Sequence, residues 1–247
     1  MKQIESFLGV PVDVITEAEV IQKAKLALQK KEQLRITSVN PQISLECQNH
    51  PKAKKYIEEA QIRIPDGIGI VKASRILGGQ IIERVTGYDV MVKLLSLANE
   101  EKKKIFLYGA KPDVVFAAKK EIEREYPSLS VVGAVDGYGS LSEEELVQKI
   151  QETQPDFLFV ALGFPKQEEW IERNYAQLGS MIIEDVGGSF DVISGFVSRA
   201  PEWIQKIHCE WLYRSLTQKG KWMRIVQVPI FLGKIYRQKL KRKDEAN

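Results

Sequence analysis

Apolar positions along this 247-residue chain follow two alternating rhythms. Short, nearly continuous runs at Leu34 to Val39, Lys104 to Tyr108, Leu129 to Val135, Phe157 to Leu162 and Met181 to Val186 predict strands buried on both faces. Between them, apolar residues recur every three or four positions, as in Val20, Ile21, Ala24 and Leu28 or Trp170, Ile171, Tyr175 and Leu178, which predicts amphipathic helices. Thr16 with Glu19 and Ser142 with Glu145 form capping boxes, and Pro112 fits a first helical turn. One or two short strands are expected around Gly9 and Pro11, one helix from about Gln42 to Ala60, a brief strand at Ile62 to Ile64, and helical patterns from Ile68 to Leu97. The predicted class is α/β: a doubly wound, Rossmann-like, mostly parallel sheet whose loops open on one edge.

The rhythm changes after Gly195. Trp203, Ile204, Ile207, Trp211, Leu212 and Leu216 make an apolar stripe among polar residues, and a second apolar segment, Trp222 to Tyr236, is interrupted by Pro229 and Gly233. The expected organisation is a core over residues 1–195 and a helical appendage over 196–247. Charge sharpens this division. After Ser198, twelve basic residues stand against four acidic ones, a balance of +8, so the rest of the +3 chain carries −5. Such a tail meets something anionic, either nucleic acid or a phospholipid surface. Its aromatic anchors, basic face and apolar stripe are what a helix lying in a membrane interface requires, although a helical hairpin packed on the core accounts for the same pattern. The amino terminus has no long apolar run and no segment reaches the roughly 18 apolar residues of a span, so a cytoplasmic protein is expected. Cys47 and Cys209 are far apart and form no framework, His50 and His208 are isolated, and no D-x-D occurs, so neither a disulfide nor a metal site is predicted.

Candidate chemistry collects where strands end. Thr37 and Asn40, Asp66, Gly109 with Lys111, Asp136 with Tyr138, Gly163 with Gln167, and Asp191 all fall at the inferred carboxyl edge, mostly flanked by glycine. This favours a nucleotide or sugar-nucleotide pocket, without the glycine spacing of a dinucleotide fingerprint or a Walker loop. Lys166 and Gln167 open a predicted helix, beside N–H groups that favour an anion. Asp66 lies between Pro65 and Gly67, held at a turn, where it is either a general base or a carboxylate capping its own backbone. Arg84, Arg214 and Arg224 are cations that could meet a leaving diphosphate, or simply form surface ion pairs.

Several stretches together resemble the signature blocks of the WecG/TagA/CpsF family of bacterial glycosyltransferases. They are T-S-V-N-P from Thr37, I-P-D-G-I-G from Ile64, E-R-V-T-G-Y-D from Glu83, L-G-F-P-K-Q-E-E-W from Leu162, V-G-G-S-F-D from Val186, S-R-A-P-E-W from Ser198 and E-W-L-Y-R from Glu210. The resemblance runs in order from about Leu8 to Arg224, and is strongest to the TagA-like branch that builds wall teichoic acid. It implies transfer of N-acetylmannosamine from UDP to the 4-hydroxyl of N-acetylglucosamine on undecaprenyl diphosphate, with inversion and without an essential metal or other cofactor. On that resemblance Asp66 deprotonates the acceptor. Thr37, Asn40, Arg84 and Gln167 surround the donor sugar and diphosphate, while Gly109, Lys111 and Gly163 are candidate substrate contacts from their places at the strand ends. Tyr138 and Asp191 approach the nucleoside, and Arg214 and Arg224 reach the phosphates from an appendage that brings the enzyme to the inner face of the membrane. Nucleic acid is then not a partner. Transfer of a different sugar, a nucleotide-binding membrane adaptor without turnover, and a homo-oligomer stay open.

Overall fold

In a computed structural model, residues 3–179, 181–201, 204 and 224–244 are described. The predicted stripe from Trp203 through Leu216, and Arg214 with it, lies outside these residues, apart from Ile204.

Strands β1 (Ile4–Phe7) and β2 (Val10–Asp13) form an antiparallel hairpin. Strands β3 (Leu34–Val39), β4 (Ile62–Pro65), β5 (Lys104–Gly109), β6 (Ser130–Val135), β7 (Phe157–Ala161) and β8 (Ile182–Asp185) build one six-stranded sheet, ordered β4-β3-β8-β7-β5-β6. Every pairing in it is parallel. All carboxyl ends therefore open on one edge, as the sequence pattern predicts. The inner strands are apolar throughout because helices cover both faces: all five residues of β7 are buried.

On one face lie α1 (Glu17–Lys30), α5 (Gly87–Glu100), α6 (Pro112–Glu125) and α9 (Ser189–Ile193), sharing a core with Ile36, Leu107 and Phe159. On the other lie α2 (Pro41–Glu46), α3 (Pro51–Glu59), α4 (Ile68–Leu77), α7 (Glu143–Thr153) and α8 (Lys166–Asn174), packed on Val39, Phe106 and Leu158. The hairpin covers the open side of β4. There the Arg63 N–H donates to Asp13 Oδ2 at 2.9 Å and its Nη2 to Oδ1 at 2.9 Å, both residues buried.

Two expectations need correction. The single helix expected from Gln42 to Ala60 is broken, because Pro51 forces His50 out of helical geometry (φ −129°, ψ 76°) and a new helix starts there. Pro229 and Gly233, expected to interrupt the tail, do not: α10 (Arg224–Asp244) runs through both, with Pro229 on its exposed side where water can take the carbonyl left over. This helix packs on α2 and α4. Phe231 and Ile235 are fully buried in the second core, and burial of each side chain contributes roughly 2 kcal/mol. Gln238 clasps the hairpin, its Oε1 accepting from the Leu8 N–H at 3.0 Å and its Nε2 donating to the Ser6 carbonyl at 3.1 Å.

Candidate active site

A cavity of about 390 Å³ opens over the carboxyl ends of β3, β4, β7 and β8. Each wall has a local cause. Asn40 caps α2, its Oδ1 accepting from the Ile43 N–H at 3.0 Å, so what it offers a ligand is its Nδ2 donor. Asp66 is anchored by its N–H, which donates to Val39 O at 2.9 Å and Ile64 O at 3.0 Å. Gly69 lets the start of α4 pass Pro41, where a Cβ would overlap the proline ring. Thr86 caps α5, accepting from the Asp89 N–H at 3.1 Å, and the Val85 N–H donates to the Pro65 carbonyl at 3.1 Å, so Arg84, Thr86, Gly87 and Tyr88 line the cavity beside the end of β4. Gln227 and Val228 of α10 form the lip, Gln227 donating to Glu46 Oε1 at 3.0 Å.

The floor is polar and almost dry. Gln167, 4% exposed, lies at its centre with its amide fully engaged. Oε1 accepts from the N–H groups of Gly163 at 3.0 Å and Gly187 at 3.2 Å. Nε2 donates to Glu168 Oε1 at 3.0 Å and Asp185 Oδ2 at 3.4 Å. Asp185 also receives the Tyr56 hydroxyl at 2.9 Å and the Ser38 N–H at 3.3 Å. The Thr37 hydroxyl faces it too, without meeting strict hydrogen-bond geometry. Burial raises the Asp185 carboxyl to about 7, against the pull of Thr37, Tyr56 and Ser38. Burial, then the charge of Asp185, raises Glu168 to about 8, and its Oε2 finds no partner among the described residues. Glu184 is pushed well above the carboxylate range by burial on the other face of β8.

The structure brings Asn40, Asp66, Arg84, Gly163 and Gln167 to one cavity, with Thr37 buried beneath its floor. It does not line that cavity with Gly109, Lys111, Tyr138 or Asp191. Asp191 lies in α9, directly past the lining residues Gly187 to Ser189. Tyr138 is 71% exposed on the turn after β6, and Lys111 is exposed at the start of α6. Arg224 opens α10, its side chain outside the described residues. Sequence reading missed Tyr56, Glu168 and Asp185. The available signal was Glu184-Asp185 within a run that otherwise predicts a buried strand: an acid there demands buried partners.

Among the described residues no cluster of three or more His, Cys, Asp or Glu side chains could hold a metal ion. Among them, too, no helix is long and apolar enough to cross a membrane.

A model of the glycosyl transferase WecG/TagA/CpsF family matches residues 5–245. Over 210 residues the chain is 38% identical to a Bacillus subtilis protein named N-acetylglucosaminyldiphosphoundecaprenol N-acetyl-beta-D-mannosaminyltransferase, spanning 84% of this chain and 81% of that one. A Staphylococcus aureus protein of the same name is 36% identical over 238 residues, spanning 96% and 93%.

Proposed function

Since the chain belongs to the WecG/TagA/CpsF glycosyltransferase family, we propose that it moves N-acetylmannosamine from UDP to the 4-hydroxyl of N-acetylglucosamine on undecaprenyl diphosphate, the linkage-unit step of wall teichoic acid synthesis. The observation that carries this reading is the shared cavity of Asp66 and Arg84, a carboxylate and a cation that both line it at the carboxyl edge of the sheet. In the proposed step the acceptor oxygen attacks the anomeric carbon, Asp66 takes its proton, and the bond to phosphate breaks with its electron pair leaving on UDP. The departing charge falls to Arg84, to the amino terminus of α5 and to Arg214 and Arg224 of the tail, with no metal required. The nucleoside extends past the sugar toward Asp191 and Tyr138, and Lys111 and Gly109 border that end.

The acceptor's lipid ties the reaction to a bilayer, and α10 supports docking there from the cytoplasmic side. Val226, Ile230, Tyr236 and Leu240 are exposed on its outward face together with Lys234, Arg237 and Lys241. Such binding weakens as salt rises.

Purified protein given UDP-N-acetylmannosamine and a lipid-linked N-acetylglucosamine diphosphate should release UDP. Asp66→Asn should lower the rate by about 100-fold to 10,000-fold while UDP still binds. Equal turnover by the variant would remove the base assignment. UDP binding without transfer to any acceptor sugar would identify a non-catalytic adaptor.

A further inference from the structure

We propose that Glu168 and Asp185 hold one proton between them and act through Gln167 as a positioning set, fixing the Gly163 and Gly187 turns that line the donor cavity. Neither acid is assigned a part in the transfer.

The geometry is specific. Gln167 has two carbonyl lone pairs and two N–H bonds, and all four have protein partners. One side chain joins the turns after β7 and β8: Gly163 N–H and Gly187 N–H converge on the same Oε1. For that oxygen to face the two turns, Nε2 must face the two acids. An amide rotated by half a turn would set an N–H donor against two N–H donors and its oxygen against two carboxyls. The acids therefore determine which way Gln167 points, and Gln167 determines how far apart the turns lie.

Two anions so close, both at most 2% exposed, repel each other with little water to screen them. The proton belongs on Glu168. Asp185 collects side-chain and backbone donors from Tyr56, Ser38 and Gln167, as an anion requires, whereas Glu168 accepts on Oε1 from Gln167 and leaves Oε2 without a partner among the described residues. The raised values near 7 and 8 agree with a pair that keeps one proton through neutral pH.

Next to Asp185 on β8, Glu184 is held well above the carboxylate range by burial and by the charge of Asp185, and the other charged groups around the pair have partners of their own. On β3, the Arg35 guanidinium lies 5.8 Å from the Tyr56 ring centroid, stacks on Tyr175 at 3.9 Å and pairs with Glu172 at 3.1 Å. On α8 itself, Glu169 faces His50 at 4.0 Å, and before α3 the buried Cys47 thiol is raised by burial and feels Lys54 and Glu168. Raising the pH removes the shared proton and places a second negative charge in the floor. The expected consequence is a loosened clamp, seen as a weaker grip on the donor and not as slower chemistry.

The test compares wild type, Glu168→Gln and Tyr56→Phe in the full-length protein. Between about pH 7 and pH 9 the wild-type KM for the UDP-sugar should rise roughly threefold to tenfold with little change in kcat. Glu168→Gln, which fixes a neutral donor-bearing group in place, should flatten that rise. Tyr56→Phe removes a hydrogen bond that favours ionised Asp185, so the shared proton can pass to Asp185 and the rise should move to higher pH. A Glu168→Gln profile that climbs like wild type, or a Tyr56→Phe profile that does not move, would overturn the proposal. The reading of the substrate is not at stake in a second measurement on free protein. Infrared spectra should show, beside the band of the buried Glu184, a second protonated-carboxyl band that disappears over the same pH range in wild type and does so at higher pH in Tyr56→Phe. A pair already fully ionised at neutral pH would sink the idea whatever the enzyme transfers, and would do so even if Glu168→Gln failed to fold.

Discussion

The two halves of the sheet's carboxyl edge use the same ingredient to opposite ends. After β5 and β6, glycine closes the structure. A Cβ at Gly109 (φ 119°) would overlap the Ala161 backbone, and one at Gly137 would come within 2.6 Å of Leu162 Cδ2 and 3.2 Å of Gly109 Cα. The turns there are bonded to each other by the Gly137 N–H to Ala110 O at 2.9 Å, and to the end of β7 by the Ala110 N–H to Ala161 O at 2.8 Å. After β7 and β8, glycine opens the structure. A Cβ at Gly163 (φ 74°) or Gly187 (φ 50°) would meet nothing within 4 Å, and both residues line the cavity. A glycine at a strand end therefore does not by itself mark a ligand site, since close backbone packing asks for the same residue.

The largest effects should come from exchanging these roles. Gly109→Ala must displace neighbouring backbone as well as hold a strained φ, a cost of about 3 kcal/mol, whereas Gly163→Ala faces only the strain of a left-handed alanine, about 1 kcal/mol. For a domain of this size the first should lower Tm by roughly 10 °C and the second by roughly 3 °C. Donor KM should respond in the reverse order, with Gly163→Ala the more affected. Thermal melts and initial rates on the same two variants check this, and equal Tm losses would erase the distinction between a packed and an open half.

A smaller effect sharpens the contrast through pH, because the buried acids Asp185 and Glu168 lie under the open half. Their folded values exceed those of free carboxyls, so the folded state keeps protons the unfolded chain would lose. Their contribution to stability is greatest below the free carboxyl range and is lost as pH rises toward about 8. Melting of wild type should accordingly weaken from pH 6 to pH 8, and Glu168→Gln should weaken less. The opposite slope would mean that these carboxyls are ionised without penalty.

Much of this could be read in the residues. Runs such as Leu34 to Val39 and Phe157 to Leu162 match β3 and β7 closely, because a strand covered on both faces has no polar position to blur its limits. The capping boxes at Thr16 and Ser142 are both formed as expected, being decided within four residues. The floor was opaque for the contrary reason. Gln167 was placed at a helix start facing an anion, yet its amide turns inward to Gly187 and Asp185, partners that only the fold delivers. The break between α2 and α3 does have a local mark, Pro51, which holds His50 out of helical geometry.

The smallest expected effect concerns Tyr138, which the proposed function sets near the nucleoside together with Lys111 and Gly109. Its ring is 71% exposed, while its N–H is tied to Asp136 Oδ1 at 2.8 Å, so the turn is fixed and the side chain is spare. A base laid on an aromatic ring is worth about 1–3 kcal/mol, and the lower figure applies to a ring this exposed to water. Tyr138→Ala should thus raise the KM for the UDP-sugar by about fivefold and leave kcat and Tm nearly unchanged. Tyr138→Phe should behave as wild type, because stacking needs the ring and not the hydroxyl. If alanine has no effect, the packed half of the edge serves only to hold the sheet together, and the nucleoside must rest against α9 instead.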